Sequence, residues 1–465
     1  MKRTAGEYRV AVIPVHLPAD SYRRAHEAAH ANALLWNHAV DALHDFWDQA
    51  ETDPSTKELR HLVAAADPAL RELHSHTKQA ITDDLLDAVA TYRANKAEGR
   101  KVRAPWRTKQ YRPLAFTRGF GWRITPAGKL NLSLGRGRAG IRLALPVVTN
   151  ARTGLGVDAS SWGEIRLCWD RDARAWSLHI AYPTTDLPVL DPVNHLGIDP
   201  GIINPMTLAV ETPTAYEVTV INGRSARAVK HRRNTAVAHL RTKMARCTKG
   251  SRQWRRYNGA LKRDSAAATS SLRNIDHQVT RKAANLATTF DTGTIAVGDV
   301  AGIERSTAQR DKRRFGRHQR RRLSQWSRGR QERYLAEKTG VALTHTDESY
   351  SSQTCPACLT RNRPTGRIYQ CRNPRCQFTC HRDAVGALNI LMRSIYGAYT
   401  RIDTDKPIHV TYLRATPLRV APSKALNRAT VLSPTSGVRV AEIDDGHATV
   451  TDLPVPTART LRDAA

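Results

Sequence analysis

The chain begins with a β-branched run, Tyr8-Arg9-Val10-Ala11-Val12-Ile13-Pro14-Val15-His16-Leu17, which predicts a strand. Pro18-Ala19-Asp20 offers a helix start, and Ala- and His-rich residues continue it to Trp47. A second helical region covers Thr56–Ala97 and stops at the basic, turn-forming segment Gly99–Arg107. Between Leu114 and Tyr182, alternating runs such as Leu130–Leu134, Ile141–Leu145 and Trp176–Ile180 predict strands with Gly-rich turns between them. With the first strand they predict a small barrel that carries a helical insertion.

The pattern changes at Leu196-Gly197-Ile198-Asp199-Pro200-Gly201, where an apolar strand ends in an acid boxed by turn residues. Strands over Pro205–Val210 and Tyr216–Ile221 follow, then a basic helical region over 224–288 and a buried strand over Thr294–Val300. A second basic helix and a strand over Val341–Thr346 complete an alternation that predicts an α/β sheet. Beyond about residue 400, scattered Pro, Thr and Ala keep no sustained period, so a mobile or loosely packed tail is expected.

At 465 residues the chain is long enough for two to four structural units, and its 40% hydrophobic content can supply their cores. No run approaches roughly 18 consecutive apolar residues, so no membrane span is expected. Met1–Tyr8 lacks an apolar leader core, and a cytoplasmic protein is the expectation. The net charge of +31 is unevenly placed. Arg224–Arg263 holds fourteen Lys and Arg and no acid, and Arg305–Arg333 holds twelve against Asp311 and Glu332. Together these tracts carry +24. Interleaved apolar anchors, among them Trp254, Tyr257, Leu323 and Trp326, favour arginine-faced helices docked on a core over solvated loops. Such surfaces hold phosphates without reading sequence, and Arg232, Arg233, Arg255, Arg256, Arg313, Arg314, Arg320, Arg321 and Arg322 are the candidate contacts.

Five of the seven cysteines lie between 355 and 380. Cys355-Pro356-Ala357-Cys358 and Cys371-Arg372-Asn373-Pro374-Arg375-Cys376 form two knuckles whose thiolates suit a tetrahedral, structural Zn²⁺. Cys380 is surplus and could compete with Cys376; Cys168 reads as core, and Cys247 has no obvious partner. Among the acids, Asp199 taken alone reads more readily as a turn residue than as a ligand, and Asp383, which opens a small-residue helix, as an N-cap. Phosphodiester hydrolysis by two Mg²⁺ ions needs several carboxylates brought together from separate elements.

The order of these motifs is an acid-bearing strand, a buried strand at 294–300, a CxxC…C ribbon and the helix Arg382-Asp383-Ala384-Val385-Gly386-Ala387-Leu388-Asn389-Ile390. It resembles the split RuvC domain of the TnpB nucleases and the related miniature type V CRISPR effectors. Asn274-Ile275-Asp276-His277-Gln278, Ser349–Cys355, Trp36-Asn37 and Ala104–Lys109 are further local matches. The resemblance spans about 8–395 and implies a multidomain α/β protein with an RNase H-like (RuvC) mixed sheet and inserted zinc ribbon. An N-terminal β-barrel wedge and a helical recognition lobe would accompany it. The implied divisions are a wedge strand (1–19), recognition lobe (20–99), wedge barrel (100–190), RuvC domain with basic helices (191–350), zinc ribbon (351–380), RuvC C-terminal helix (381–399) and tail (400–465).

One position departs from the family. Gly298 stands where the second motif carries its catalytic Glu, and glycine offers no ligand. In some relatives a Glu just before the ribbon substitutes, and Glu348 occupies that place. The resemblance therefore implies Asp199, Glu348 and Asp383 as the Mg²⁺ ligands, with Asp299 and Glu304 in reserve. Asp299 should face away from residue 298 across the strand. The implied activity is RNA-guided DNA cleavage beside a short flanking motif, with guide RNA and double-stranded DNA as partners. The alternatives are a guided DNA-binding protein without cleavage and a zinc-ribbon RNA-binding protein.

Overall fold

A computed structural model of the chain describes residues 8–50, 52–64, 73–135, 139–144, 159–183, 187, 189–300, 316–415, 427–432, 438–444 and 447–451. The chain divides into two compact units, Met1–Asp186 and Leu187–Ala465.

In the first unit, strand β1 (Tyr8–Val15) leads into helix α1 (Ala19–Gln49), followed by α2 (Thr56–Ala64) and α3 (Ser75–Ala97). Helix α1 buries Ala25, Ala28, Ala29, Leu35, Trp36, Ala39, Val40 and Leu43, a stripe at three- and four-residue spacing. Asn37 on that helix exchanges two hydrogen bonds with the backbone of Lys109, at 2.9 and 3.0 Å, and the Lys109 ammonium lies 3.6 Å from the Trp36 ring centroid. Two segments singled out separately in the sequence thus form one contact. A closed barrel is not confirmed. Among the described residues the strands form two antiparallel sheets: β1 with β7 (Ala175–Pro183), β6 (Ile165–Asp170) and β2 (Leu114–Phe116), and β3 (Trp122–Ile124) with β4 (Lys129–Leu132) and β5 (Ile141–Ala144). The chain leaves the first sheet through a tight turn at Gly121, whose amide donates to the Thr117 carbonyl at 2.8 Å. A Cβ at Gly121 would lie 2.7 Å from the Thr117 amide nitrogen. Consecutive strands β2 and β3 are folded away from each other rather than paired.

The second unit is built on a mixed sheet. Its order is β12 (Leu343–Asp347), β11 (Thr292–Asp299), β8 (Asp191–Asp199), β9 (Met206–Glu211), β10 (Tyr216–Asn222), β15 (Ile408–Arg414), β16 (Asn427–Leu432), β17 (Val438–Asp444) and β18 (His447–Thr451). β11 runs parallel to both β12 and β8, β10 parallel to β15, and β8 antiparallel to β9. Side-chain alternation sorts the faces. Leu196, Ile198, Ile295 and Val297 pack with Ile275, Val279 and Leu335 of α5 (Arg252–Thr289) and α7 (Arg328–Thr339). Val218 and Val220 pack with Val385, Leu388 and Leu391 of α8 (Arg382–Tyr396) on the opposite face.

Helix α4 (Arg224–Ala245) and α6 (Arg317–Ser324) complete the unit. The first basic tract is the α4–α5 hairpin, and α4 buries no residue. The second is interrupted at Gln325–Ser327, so it forms two short helices, α6 and α7, instead of one. The tail expectation is corrected at its start. Ile408–Arg414 is a sheet strand that buries Ile408 and Val410, because this Ile-His-Val-Thr run carries the period-two pattern of a half-buried strand.

Asp276 ties α5 to α7. Its buried carboxylate accepts from Ser327 Oγ (2.9 Å), Arg330 Nε (2.7 Å) and Gln331 Nε2 (2.7 Å), with Arg330 also paired through its terminal nitrogen at 2.6 Å. Removing one partner of a buried pair leaves the other charge desolvated. Asp276→Ala is therefore expected to destabilise the fold by about 3 kcal/mol or more, read from the midpoint of a denaturant titration.

Candidate functional site

The three acids come from three elements that meet on the α8 face. Asp199 ends β8, Glu348 follows β12, and Asp383 lies in the first turn of α8. The strand-to-helix contact is made at backbone distance. A Cβ at Gly197 would lie 2.6 Å from the Leu391 amide nitrogen, and one at Gly386 would lie 2.6 Å from Asp199 Oδ2. Only glycine at both positions lets Asp199 sit directly beneath the helix.

Position 298 is sterically tied to Glu348. A Cβ at Gly298 would lie 2.9 Å from Glu348 Oε2 and 2.9 Å from Ile390 Cδ1. The Glu348 carboxylate thus occupies the space that a side chain on β11 would fill. Asp299 faces the other way, as the strand period requires, with Arg328 of α7 at 3.9 Å. Glu304, Arg313 and Arg314 lie outside the described residues.

Burial, with neighbouring acids adding to it, raises the proton affinities of two of the three. Burial, then the neighbouring Asp383 and Glu348, hold the Asp199 carboxyl well above the ordinary range, against Arg382. Burial, then Asp299 and Asp347, push Glu348 up to about 7, with Arg328 opposing. Carboxylates crowded in this way are an all-oxygen donor set for hard divalent cations, whose charge would relieve the repulsion. The three are spread more widely than 4.8 Å, as ligands shared by two cations about 4 Å apart can be.

Two residues that position Asp383 carried no signal that sequence reasoning used. Asn204, buried in the turn after β8, donates its amide to Asp383 Oδ2 at 2.7 Å. Arg367 lies 3.6 Å from the same oxygen. The turn bearing Glu348 is clamped by residues C-terminal to it. Asn389 donates to the carbonyls of Ser351 (2.6 Å) and Thr354 (2.8 Å), Tyr399 to that of Ser349 (2.6 Å), and Arg393 to that of Asp347 (3.1 Å). The Asn of the α8 motif is therefore a clip that fixes the Glu348 turn.

The cysteine cluster follows the predicted knuckles. The sulfurs of Cys355, Cys358, Cys371 and Cys376 all lie within 4.8 Å of one another, with Cys355–Cys376 at 3.7 Å and Cys358–Cys371 at 3.5 Å. Zinc–sulfur bonds of about 2.3 Å in a tetrahedron require sulfurs about 3.8 Å apart, far longer than a disulfide. The residues fit zinc. Leu359 and Gln377, one residue past each knuckle, both adopt left-handed backbone (φ 64° and 51°), which turns the two loops alike around the sulfurs. Cys380 does not compete. It pairs with Tyr369 across β13 (Ile368–Gln370) and β14 (Thr379–His381) and is buried in the core.

Of the basic candidates, Arg232, Arg255, Arg256, Arg320, Arg321 and Arg322 are exposed and Arg233 is half-buried. Arg322 acts on Arg227 through its charge. After burial, the charges of Arg367, Arg224 and Arg322 depress Arg227, and of these Arg367 reaches Asp383.

A mixed-sheet α/β protein with a four-cysteine ribbon inserted before its last acid-bearing helix is the class that this geometry defines. Residues 329–390 match the family model "Cas12f1-like, TNB domain". The mini-RNA-guided endonuclease CRISPR-Cas_phi3 has a similar fold, with a TM-score of 0.52 at 8% identity over 85% of this chain and 94% of that one. A Cas12f1–sgRNA–target DNA complex aligns over 80% and 82% at 12% identity, with a TM-score of 0.49. No curated protein matches the sequence. The resemblance to miniature type V effectors and TnpB-like proteins is borne out. Among the described residues no helix is long and apolar enough to cross a membrane.

Two outcomes test this geometry. Metal analysis of the purified protein is expected to give one zinc per chain, and Cys371→Ser to lose it together with protease resistance of the ribbon. Gly298→Ala is expected to lower the unfolding midpoint by an overpacking cost of about 1–3 kcal/mol, and Glu348→Ala in the same background to recover part of that loss.

Proposed function

We propose that the chain is an RNA-guided DNA endonuclease with a single RuvC site of RNase H-like fold. The observation that carries this reading is the Glu348 carboxylate over Gly298, which restores a third acid to a site that would otherwise have two. That favours cleavage over guided binding alone. Asp199, Glu348 and Asp383 would hold two Mg²⁺ ions, which supply the Lewis acidity and water activation of phosphodiester hydrolysis. Asn204 fixes one oxygen of Asp383, and the Glu348 turn is held by Asn389, Tyr399 and Arg393, so the ligands are pre-positioned.

Arg224, Arg227, Arg322 and Arg367 would steer the DNA backbone to the acids, and the exposed arginines of α4 to α6 would hold guide RNA and heteroduplex by their phosphates. The ribbon, closed on structural zinc, offers no open metal position for chemistry and is assigned to loading the strand. The protein would read a short flanking motif and leave sequence recognition to base pairing. The products would carry 5′-phosphate and 3′-hydroxyl ends.

The test is cleavage of matched double-stranded DNA by the RNA-loaded protein with Mg²⁺. Asp199→Ala, Glu348→Ala and Asp383→Ala are each expected to lower the rate roughly a hundredfold or more while retaining guided binding; full-rate cutting by Glu348→Ala would show that the third ligand lies elsewhere. The pH dependence follows from Glu348. Metal binding needs its ionised form, so cleavage is expected to fall as pH drops through about 7. In the metal-free protein the sign reverses. The folded state holds a proton that the unfolded chain releases near 4.5, so stability falls as pH rises from there through about 7. Thermal unfolding across that range, with and without Mg²⁺, checks it.

A further inference from the structure

The turn that carries Glu348 also presents an aromatic side chain that the cation site does not use. Tyr350 is 50% exposed, and its backbone sits at φ 66°, a left-handed conformation disfavoured for any residue with a Cβ. The conformation is over-determined. The Tyr350 carbonyl accepts from the amides of Gln353 and Thr354, both at 2.9 Å, and from Thr354 Oγ1 at 3.0 Å. The Ser351 amide closes the turn onto the Glu348 carbonyl at 2.9 Å. Against the ring stands Arg361, its guanidinium carbon 4.1 Å from the centroid. Arg361 belongs to the strand leaving the first zinc knuckle, where it bridges to Thr354, and the next residue's amide, Asn362, donates to the Gln353 carbonyl at 2.8 Å.

Packing does not account for this arrangement. A ring half in solvent forgoes much of its burial gain, and the strained backbone is maintained by the clamps rather than by any core contact. The setting is cationic: residues 355–380 contain five arginines and no acid, and Arg361, Arg363, Arg367, Arg372 and Arg375 are all exposed. A rigid aromatic face with a guanidinium against it, in a basic surround beside phosphodiester-cleaving acids, has the chemistry to hold an unpaired nucleotide. The ring stacks on the base and the guanidinium meets the adjoining phosphate.

We propose that Tyr350 and Arg361 form a nucleobase-stacking subsite that grips one unpaired base of the DNA strand and aligns the neighbouring phosphate over Asp199, Glu348 and Asp383. The choice of DNA strand and the alignment rest on the nuclease reading, whereas stacking is measurable without cleavage. Because Arg361 leaves the first knuckle and Tyr350 is hydrogen-bonded to residues entering it, the zinc site sets the spacing of the pair. This ties the strand-loading role proposed for the ribbon to a named pair of side chains.

The experiment uses the full-length, zinc-loaded protein, a short oligothymidylate with one central 2-aminopurine, and no divalent cation. Wild type and Tyr350→Phe are expected to quench the probe alike. Tyr350→Gly is expected to lose that part of the quench and bind roughly tenfold more weakly. Its unfolding midpoint should be no lower than that of wild type, since glycine relieves the left-handed strain. Arg361→Ala should weaken binding and make it less salt-dependent. Unchanged quenching in Tyr350→Gly, or equal loss in Tyr350→Phe, overturns the subsite. In the RNA-loaded cleavage assay, Tyr350→Gly should raise KM with a smaller change in kcat, and an abasic nucleotide beside the cut should reproduce the effect in wild type. Tyr350-dependent quenching without any cleavage would leave the subsite standing and remove the nuclease reading; cleavage without such quenching would do the reverse.

Discussion

The acid site depends on a helix lying on a sheet at backbone distance. Helix α8 reaches β8 and β11 because Gly197, Gly386 and Gly298 present no Cβ where the surfaces meet. Each glycine does a different job. Gly197 admits the α8 backbone, Gly386 leaves room for the Asp199 carboxylate, and Gly298 leaves room for that of Glu348. A larger residue at any of the three would lift the helix or expel an acid, and protein interiors yield little to such strain. A side chain at the position that reads as a loss in the strand motif would collide with Glu348, the acid proposed to replace it.

Burying these acids costs stability when no cation is bound: burial raises the proton affinities of Asp199 and Glu348, and nearby acids add to it, Asp383 and Glu348 at the first and Asp299 and Asp347 at the second. The opposing interactions come from neutral clips and from arginines at the margin. Asn204 and Asn389 fix two of the acid-bearing segments without adding charge at the centre, while Arg328 and Arg367 stand on opposite flanks. Among the described residues of the second unit, the exposed basic side chains are concentrated on the α4–α5 hairpin and α6.

Much of this was legible in the sequence because the chemistry is local. The knuckle cysteines fix their own spacing, Asp199 is flagged by an apolar strand and the turn after it, and Asp383 by the small-residue helix that follows. Glu348 could be named only by combining an absence at Gly298 with a family likeness, since no periodicity marks it. The residues that orient the acids were not legible, because their partners are distant in sequence: Asn204 meets a residue 179 positions away, and Tyr399 one 50 positions away. The same reason hid the pairing of Ile408–Arg414 with Tyr216–Asn222, although its alternation was readable. Which N-terminal strands share a sheet was likewise not legible, because the tight corner at Gly121 between β2 and β3 is a backbone event that strand patterns do not encode. The Arg361–Tyr350 stack needed a backbone conformation and a knuckle return that only coordinates reveal.

The central claim is that Glu348 completes a cation site with Asp199 and Asp383. Anomalous diffraction from crystals of the full-length protein soaked in Mn²⁺, a scattering substitute for Mg²⁺, tests it most directly. The account predicts manganese peaks on the α8 face within coordination distance of all three carboxylates, with the side chain of Glu348 over Gly298. Manganese held by Asp199 and Asp383 with Glu348 turned away, or shared with Asp299 on the opposite face, would contradict it.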